Sequence, residues 1–185
     1  MTFISDSLNR IKPSATMVIT AKATQLKREG KKVIGLSSGE PDFDTPQHVK
    51  QAAIDAINSG YTKYTNIEGI PELRQSIVEK FKKDNDLNYD VSNVIVGTGG
   101  KQILFNALMS SLNKDDEVII PAPYWVSYPD MTLLAGGKPI FVDCSSETNF
   151  KLTGEALDKV ITKNSKWLIL NSPSNPTGSC YSLSE

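Results

Sequence analysis

The stretch EVIIPAPYW, residues 117–125, places an uninterrupted apolar run directly before a loop that contains two prolines. The run Glu117–Ile120 is continuous rather than alternating, which is typical of a strand buried on both faces of a parallel sheet. Short β-rich runs of the same kind occur at Val33–Leu36, Asn93–Val96, Pro139–Val142 and Lys166–Leu170. We therefore expect residues 117–120 to lie within a parallel sheet.

Helical segments alternate with these runs. Apolar residues recur with helical spacing between Thr45 and Gly60 and again from Pro71 to Lys83. Thr45 can cap the first of these helices, Pro46 suits its first position, and Gly60 can end it. Further helices are expected at 14–29, 101–112, 126–135 and 153–163. This βα alternation predicts an α/β fold with three layers, in which helices cover both faces of a mainly parallel sheet.

Composition excludes several classes of protein. The chain has 185 residues and a formal net charge of -1, which argues against a disordered acidic tail and against binding of nucleic acid by bulk charge. Its longest uncharged apolar stretches fall far short of the ~20 residues of a membrane span. No basic segment precedes an apolar run near Met1, so we expect a cytoplasmic protein with no membrane partner. Cys144 and Cys180 show no metal-ligand spacing, so neither a metal site nor a disulfide is expected.

One loop at the predicted ligand-binding edge is rich in glycine. In parallel α/β sheets ligands bind where the strands end, and Gly97–Lys101 follows the run that ends at Val96. Glycines before a helix allow backbone N–H groups to converge on a phosphate. The spacing matches neither a Walker A loop nor a dinucleotide fingerprint. A phosphate cradle and a simple tight turn both remain open from this segment alone.

Two further loops are expected at the same edge. Pro121–Trp125 can present an indole to a planar ligand, although a core or subunit-contact tryptophan is the alternative. Asn171–Gly178 can present an amide at a height fixed by its prolines, although it could also be a generic turn. Because three unusual loops coincide at one edge, the sequence predicts a site for a ligand that carries both a phosphate and a ring.

Five segments, in order and at matching separations, resemble one enzyme family. The chain is similar to the class I/II, fold-type I, pyridoxal-phosphate-dependent aminotransferases, specifically to the bacterial branch of aspartate and aspartate/prephenate aminotransferases. The resemblance covers essentially the whole chain. The segments are Gly39–Pro46, Thr62–Tyr64, Gly99–Lys101, Pro123–Trp125 and Asn171–Gly178.

The resemblance implies pyridoxal 5'-phosphate as the cofactor. Trp125 matches the aromatic residue that lies on the pyridine ring, and Asn175 matches the amide that contacts the phenolic oxygen. Tyr64 matches the tyrosine that reaches the cofactor phosphate of the neighbouring subunit, which implies a homodimer. The full set of implied cofactor-binding residues is Gly99, Gly100, Lys101, Trp125, Asn175 and Tyr64.

The resemblance also implies which residues bind the substrate. Lys101 matches the cation for the distal carboxylate of a dicarboxylate, and Gly39 matches a backbone donor near the α-carboxylate. Lys12 and Thr16 match positions tied to prephenate recognition. Lys101 lies in the first turn of a predicted helix, where a lysine is mildly unfavourable against the helix dipole, and this favours a functional role. The implied substrate-binding residues are Gly39, Lys101, Trp125, Asn175, Lys12 and Thr16.

In domain terms, the resemblance implies an N-terminal arm and part of the small domain at 1–45, and the first half of the large cofactor-binding domain at 46–185. The turn-rich segment Ser37–Thr45 is the expected boundary. The family's Schiff-base lysine matches a position beyond Glu185, so no catalytic residue is expected within the chain and the chain alone is expected to be inactive. The predicted strand at 93–96 would pair with later strands. We therefore hypothesise that residues 1–185 are ordered only together with further chain, and size-exclusion chromatography with circular dichroism would test this.

The implied reaction is transamination between L-aspartate or glutamate and a 2-oxo acid such as 2-oxoglutarate, with conversion of prephenate to arogenate as a further possibility. Two alternatives stay open at this point. Another fold-type I enzyme, such as an aromatic or branched-chain aminotransferase or a lyase, would share the cofactor residues. A non-enzymatic phosphate-binding α/β module would share only the glycine-rich loop. His48 is expected to be a surface residue.

Overall fold

A three-stranded parallel sheet is the only sheet among the described residues of the computed structural model, which are 3–36, 39 and 41–185. The strands are β1 (Glu117–Ala122), β2 (Lys138–Asp143) and β3 (Ser165–Leu168). Their order is β2-β1-β3, so the stretch quoted first provides the central strand. β1 pairs with β2 without interruption, whereas its pairing with β3 is irregular between Glu117 and Val118.

The described residues also form six α-helices. These are α1 (Ala15–Arg28), α2 (Gln47–Asn58), α3 (Pro71–Asn85), α4 (Gly99–Ser111), α5 (Ser127–Leu134) and α6 (Gly154–Asp158). Short 3-10 turns lie at Asp6–Arg10, Val91–Asn93 and Ser146–Thr148. All six helices were expected from the sequence, although α6 ends at Asp158 rather than near residue 163.

The chain divides into two compact units. The first unit comprises Met1–Ala15 and Lys101–Glu185 and contains the sheet, and the second comprises Thr16–Gly100 and contains α2 and α3. The expected domain division at residue 45 concerns a longer enzyme, so it stays a prediction. Of its boundary segment, Ser37, Ser38 and Glu40 lie outside the described residues.

The hydrophobic core lies in the first unit. Val118 and Ile120 of β1 are fully buried, and they pack with side chains of two helices, namely Leu108 and Leu112 at α4 and Tyr128 and Met131 of α5. Residues 117–120 are all buried, as the uninterrupted apolar run predicts for a strand covered on both faces. β2 and β3 are more exposed, because each is an edge strand of this sheet.

Two predicted strands are wrong. Val33–Leu36 and Asn93–Val96 have no strand structure, and Asn93 ends a 3-10 turn instead. Val94 has extended dihedral angles, φ -111° and ψ 128°, but the segment has no ladder partner among the described residues. The N–H of Val96 donates to the carbonyl of Glu68 at 2.9 Å. A strand requires a neighbouring strand, and a β-rich composition cannot supply one.

The predicted ends of α2 are half right. Pro46, not Thr45, is the N-cap, and no side chain caps this end of the helix. At the other end Gly60 has φ +81°, and the N–H groups of Gly60 and Tyr61 donate to the carbonyls of Ile57 and Ala56. This pattern is a Schellman motif, so the prediction that glycine ends the helix is confirmed.

Candidate functional site

The loops after β1 and β3 meet at one edge of the sheet. Because the strands are parallel, their carboxyl ends share this edge, and the two loops enclose a cavity of about 20 Å³. Pro123 and Tyr124 line it from the first loop, and Asn171, Ser174 and Asn175 line it from the second. The cavity has room for about one water molecule. Two of the three loops predicted to form a site are therefore direct neighbours.

Lys101 and Trp125 are in contact within the first unit. The Lys101 Nζ lies 5.0 Å from the centroid of the Trp125 ring, a distance typical of a cation–π interaction. The Trp125 ring also meets Tyr128 edge to face, with centroids 5.4 Å apart. Tyr128 is buried, and this burial raises the pKa of its phenol. Trp125 is partly buried against the core cluster, as the core alternative predicts, and its binding of a planar ligand stays a prediction.

The loop Asn171–Gly178 is closed by hydrogen bonds of its own. The Gly178 N–H donates to the Ser174 carbonyl at 2.8 Å, and the Ser174 N–H donates to the Ser179 carbonyl at 2.9 Å. The Asn175 N–H donates to the side-chain Oδ1 of Asn171 at 2.9 Å. The side chain of Asn175 is exposed, which leaves it accessible to a ligand.

Two contacts attach the segment that follows this loop to residues 149–152. The Ser179 hydroxyl donates to the Asn149 carbonyl at 2.7 Å, and the Leu152 N–H donates to the Tyr181 hydroxyl at 2.7 Å. Because Ser179 and Tyr181 directly follow the loop, these contacts limit the movement of the carboxyl-terminal end of the loop, near Gly178. Asn171, Tyr124 and Tyr181 were missed as site residues, and the only sequence signal for Asn171 was its place at the start of the predicted loop.

The glycine-rich loop lies at the end of the second unit. Gly99 begins α4 with φ +80°, a left-handed conformation that favours glycine. A Cβ atom built at Gly99 or at Gly100 would meet nothing within 4 Å. The N–H groups in the first turn of a helix have no acceptor within the helix, and the positive end of the dipole favours an anion. The Gly99 N–H donates to the Gly97 carbonyl at 3.0 Å, so the fit to the phosphate of pyridoxal phosphate rests on the Gly100 N–H and on the helix dipole.

The other predicted site residues lie elsewhere. Tyr64 is fully exposed and lines an open pocket of about 560 Å³ in the second unit. Thr16 lines a different pocket of that unit, beside Ile19 and Ile34. Lys12 is exposed before α1, and Gly39 is exposed with open space at its Cα. The structure thus places Lys101 against Trp125, and it places Asn175 beside the loop that follows β1. The roles of all the predicted site residues stay predictions.

Neither a metal centre nor a membrane span is evident in the described parts of the chain. No three His, Cys, Asp or Glu side chains there are grouped so that they could hold a metal ion. None of the helices in those parts is long and apolar enough to cross a membrane. Cys144 is buried, which raises the pKa of its thiol, and Cys180 is exposed; both are free thiols.

The fold and these residues define a class of protein. The chain belongs to the aminotransferase class I and II family, whose model matches residues 31–185. It is 60% identical over its whole length to a probable aspartate/prephenate aminotransferase of Rickettsia bellii and to an aspartate/prephenate aminotransferase of Cereibacter sphaeroides, and it covers 46% of each. The chain therefore spans about half the length of these curated relatives.

Solved structures agree with this assignment. All of the chain superposes on 46% of an aspartate aminotransferase from Rhizobium meliloti, with a TM-score of 0.95 and 50% identity. It also superposes on 48% of an aspartate aminotransferase from Thermus thermophilus solved with maleate, with a TM-score of 0.96 and 46% identity. The predicted α/β fold of the fold-type I kind is thereby confirmed.

Proposed function

We propose that this chain supplies part of the pyridoxal-phosphate site of an aminotransferase that transfers the amino group of L-aspartate or glutamate to a 2-oxo acid such as 2-oxoglutarate. We propose prephenate, converted to arogenate, as a further acceptor. The observation that carries the proposal is the contact of the Lys101 ammonium with the Trp125 indole, which places a cation beside a ring-binding face. Following the resemblance, the Schiff-base lysine is assigned to a position beyond residue 185.

Each residue has a defined task in this proposal. When bound, pyridoxal phosphate would supply an electron sink for the electron pair left on the substrate Cα when its proton is removed. The indole of Trp125 is assigned to the planar ring, and Gly99 and Gly100 at the start of α4 are assigned to the phosphate, with the Gly100 N–H as donor. The side-chain amide of Asn175 orients the ring by a hydrogen bond to its phenolic oxygen. Gly39 is assigned to the α-carboxylate of the substrate.

The preference for a dicarboxylate follows from Lys101. A cation in the first turn of a helix is opposed by the helix dipole, so an anionic partner would relieve an unfavourable arrangement. A carboxylate that enters a closed site requires such a partner, because an unpaired buried charge is costly. The Thermus thermophilus relative was solved with maleate, which is a dicarboxylate, and this supports the same preference.

The proposal includes a cytoplasmic homodimer. The dimer is supported by the match of Tyr64 to the tyrosine that reaches the cofactor of a neighbouring subunit. The exposed position of Tyr64 in the second unit leaves its hydroxyl available to such a partner. Light scattering on the purified protein would measure the oligomeric state, and cell fractionation would measure the location.

The first test uses the protein expressed at its natural length. Titration with pyridoxal phosphate should produce the absorbance band of the bound cofactor, and a panel of amino acids and 2-oxo acids should show the highest kcat/KM with aspartate or glutamate. Absence of the band would support a phosphate-binding module instead. A preference for aromatic or branched substrates, or elimination without amino transfer, would support one of the other fold-type I enzymes.

A second test concerns Lys101. Lys101→Met should raise the KM for aspartate about 10- to 100-fold, because it removes a charged hydrogen-bond donor. Activity with a neutral amino acid such as alanine should change much less. Lys114→Met is the matched control, because Lys114 is an exposed lysine that lines a different pocket, beside Arg10. Equal losses for aspartate and alanine would contradict the assignment of Lys101 to the distal carboxylate.

A further inference from the structure

We propose that Asn171 is a positioning residue for Asn175. The inference rests on the proposed function, because it concerns how the amide of Asn175 is held ready for a ligand. Its basis is the hydrogen bond from the Asn175 N–H to the side-chain Oδ1 of Asn171, at 2.9 Å. Asn171 itself is assigned no contact with cofactor or substrate.

The backbone of Asn175 is constrained on both sides of its Cα atom. On the carboxyl side Pro176 follows, and a proline confines the ψ angle of the residue before it. On the amino side the preceding peptide is held at both of its polar groups, because the Asn171 side chain accepts the Asn175 N–H and the Ser174 carbonyl accepts the Gly178 N–H. With both neighbouring peptides held, the direction of the Cα–Cβ bond is fixed. Only the side-chain torsions of Asn175 then remain to be set by the ligand.

The other hydrogen bonds of the loop do not use the Asn175 N–H, although the Ser174 carbonyl of the same peptide accepts the Gly178 N–H. The contacts of Ser174 with Gly178 and Ser179 close the turn around residues 175–177, but they do not involve the Asn175 N–H. Among the hydrogen bonds that hold this loop, the acceptor for that N–H is the side chain of Asn171. Removal of this acceptor would leave the 174–175 peptide held at its carbonyl oxygen alone, and so loosen its N–H while the turn itself stays closed.

Asn171 is in turn anchored to the sheet. The Ile169 N–H donates to the carbonyl of Ile119 at 3.0 Å, so pairing with β1 continues one residue beyond β3. Asn171 stands two residues later and is half-buried, whereas Asn175 is exposed. The hydrogen bond from the Asn175 N–H to the Asn171 side chain therefore links exposed Asn175 to a segment that is paired with the sheet. A mobile loop would lose this alignment and would have to order Asn175 again at each binding event.

The test compares four variants with the wild type, all at natural length. Asn171→Ala removes the acceptor, and Asn171→Asp keeps an oxygen in the same place. Ser172→Ala is the matched control, because the Ser172 hydroxyl accepts the Tyr181 N–H at 3.2 Å in the same loop but does not touch Asn175. Asn175→Ala removes the side-chain amide itself and so gives the largest expected shift of the titration midpoint of bound pyridoxal phosphate.

The first readout is amide hydrogen exchange in the cofactor-free protein, resolved to single residues. Asn171→Ala should speed exchange of the Asn175 N–H about three- to tenfold, which corresponds to loss of one net hydrogen bond. In Asn171→Asp the Asn175 N–H should exchange at close to the wild-type rate. Ser172→Ala should accelerate exchange of the Tyr181 N–H but not of the Asn175 N–H. Equal acceleration of Asn175 in the Ala variants at 171 and 172, or no rescue by aspartate, would overturn the proposal.

The second readout is the pH titration of the absorbance of bound pyridoxal phosphate. Asn171→Ala should shift the midpoint in the same direction as Asn175→Ala and by less, while Ser172→Ala should leave it near the wild-type value; Asn171→Asp is left out of this readout, because its added charge would itself move the midpoint. No shift with Asn171→Ala would overturn the proposal even if the cofactor binds normally. If no cofactor binds at all, the proposed function fails, and the exchange measurement still decides whether Asn171 holds Asn175.

Discussion

The two units of this chain contain similar helices but differ in what they bury. In the first unit Ile120 of β1 is 0% exposed, and five residues of α4, α5 and β1 form one core cluster with Leu112, which directly follows α4. In the second unit no described residue is buried, and Ile57 of α2 is 63% exposed although it lies on a regular apolar stripe. Helical spacing of apolar residues therefore predicts a helix, but a second surface is needed before that stripe is buried.

Polar contacts hold part of the second unit. The Arg74 side chain donates to the carbonyls of Val94 at 3.0 Å and Val91 at 2.6 Å, and so holds the extended segment after α3. Ile95 in that segment is 62% exposed. The packed core therefore lies in the unit that contains the sheet.

Ile120→Ala should give the largest loss of stability. It removes a fully buried side chain from the central strand, which typically costs about 2–5 kcal/mol. Ile57→Ala on the exposed stripe of α2 should change stability by no more than about 0.5 kcal/mol. Native-state hydrogen exchange of the amides of β1 and α2, in the protein at its natural length, measures both. Equal costs at the two positions would show that α2 packs as tightly as β1.

Gly137→Ala should destabilise the first unit by about 1–3 kcal/mol, because an added methyl group overpacks the core. A Cβ atom at Gly137 would lie 2.9 Å from Cδ1 of Leu112 and 3.2 Å from the backbone oxygen of Asp116. Gly154→Ala is the control, since a Cβ there would meet nothing within 4 Å. The midpoint of chemical denaturation should fall only for the first variant, and a neutral Gly137→Ala would mean that the core can relax around it.

Arg74→Met should loosen the second unit by about 1–2 kcal/mol, because two carbonyls lose a charged donor. Exchange should accelerate at the N–H of Val96 and its neighbours and stay unchanged in β1. Arg28→Met, at the exposed last residue of α1, is the matched control. If β1 exchanged faster as well, the two units would not be energetically separate.

The smallest effect is expected from Asp116, at the start of β1. The N–H of Asn113 and the ammonium of Lys166, 2.9 Å away, lower the pKa of the Asp116 carboxyl below its usual 3.8. A lowered pKa in the folded state means that this stabilisation is present above the unfolded value and is lost as the pH falls through the folded one. Asp116→Asn should therefore flatten the pH dependence of β1 stability in acid, while the second unit keeps its own dependence. An unchanged acid profile would contradict this assignment.

Most of the fold was predictable from local pattern. The six helices and the strands at 117, 139 and 166 were all expected, because apolar spacing and turn residues report on local structure. The strands expected at 33–36 and 93–96 do not form, because a β-rich run becomes a strand only where another strand pairs with it. The predicted N-cap at Thr45 was wrong for a related reason, since capping depends on backbone and side-chain geometry that residue type does not determine.

The sequence predicted which loops contribute to the candidate site, but it did not predict which side chains are in contact there. The loops at 121–125 and 171–178 were expected at one edge of the sheet, and they do share a cavity. The contact of Lys101 with the Trp125 ring, and the hydrogen bond from Asn175 to Asn171, could not be derived from spacing. Both depend on side-chain directions that are set only once the strands have been aligned.

By itself the sequence determined the family, the α/β class and the order of the elements, because motifs and periodicity are properties of neighbouring residues along the chain. Tertiary packing sets three further features: 117–122 is the central strand, the buried core found among the described residues lies in the first unit, and the Asn171 side chain accepts the Asn175 N–H. Burial and hydrogen-bond partners join residues that are distant in sequence or that meet only through a particular turn. For that reason local pattern cannot specify them, and they are settled when the sheet and its loops pack together.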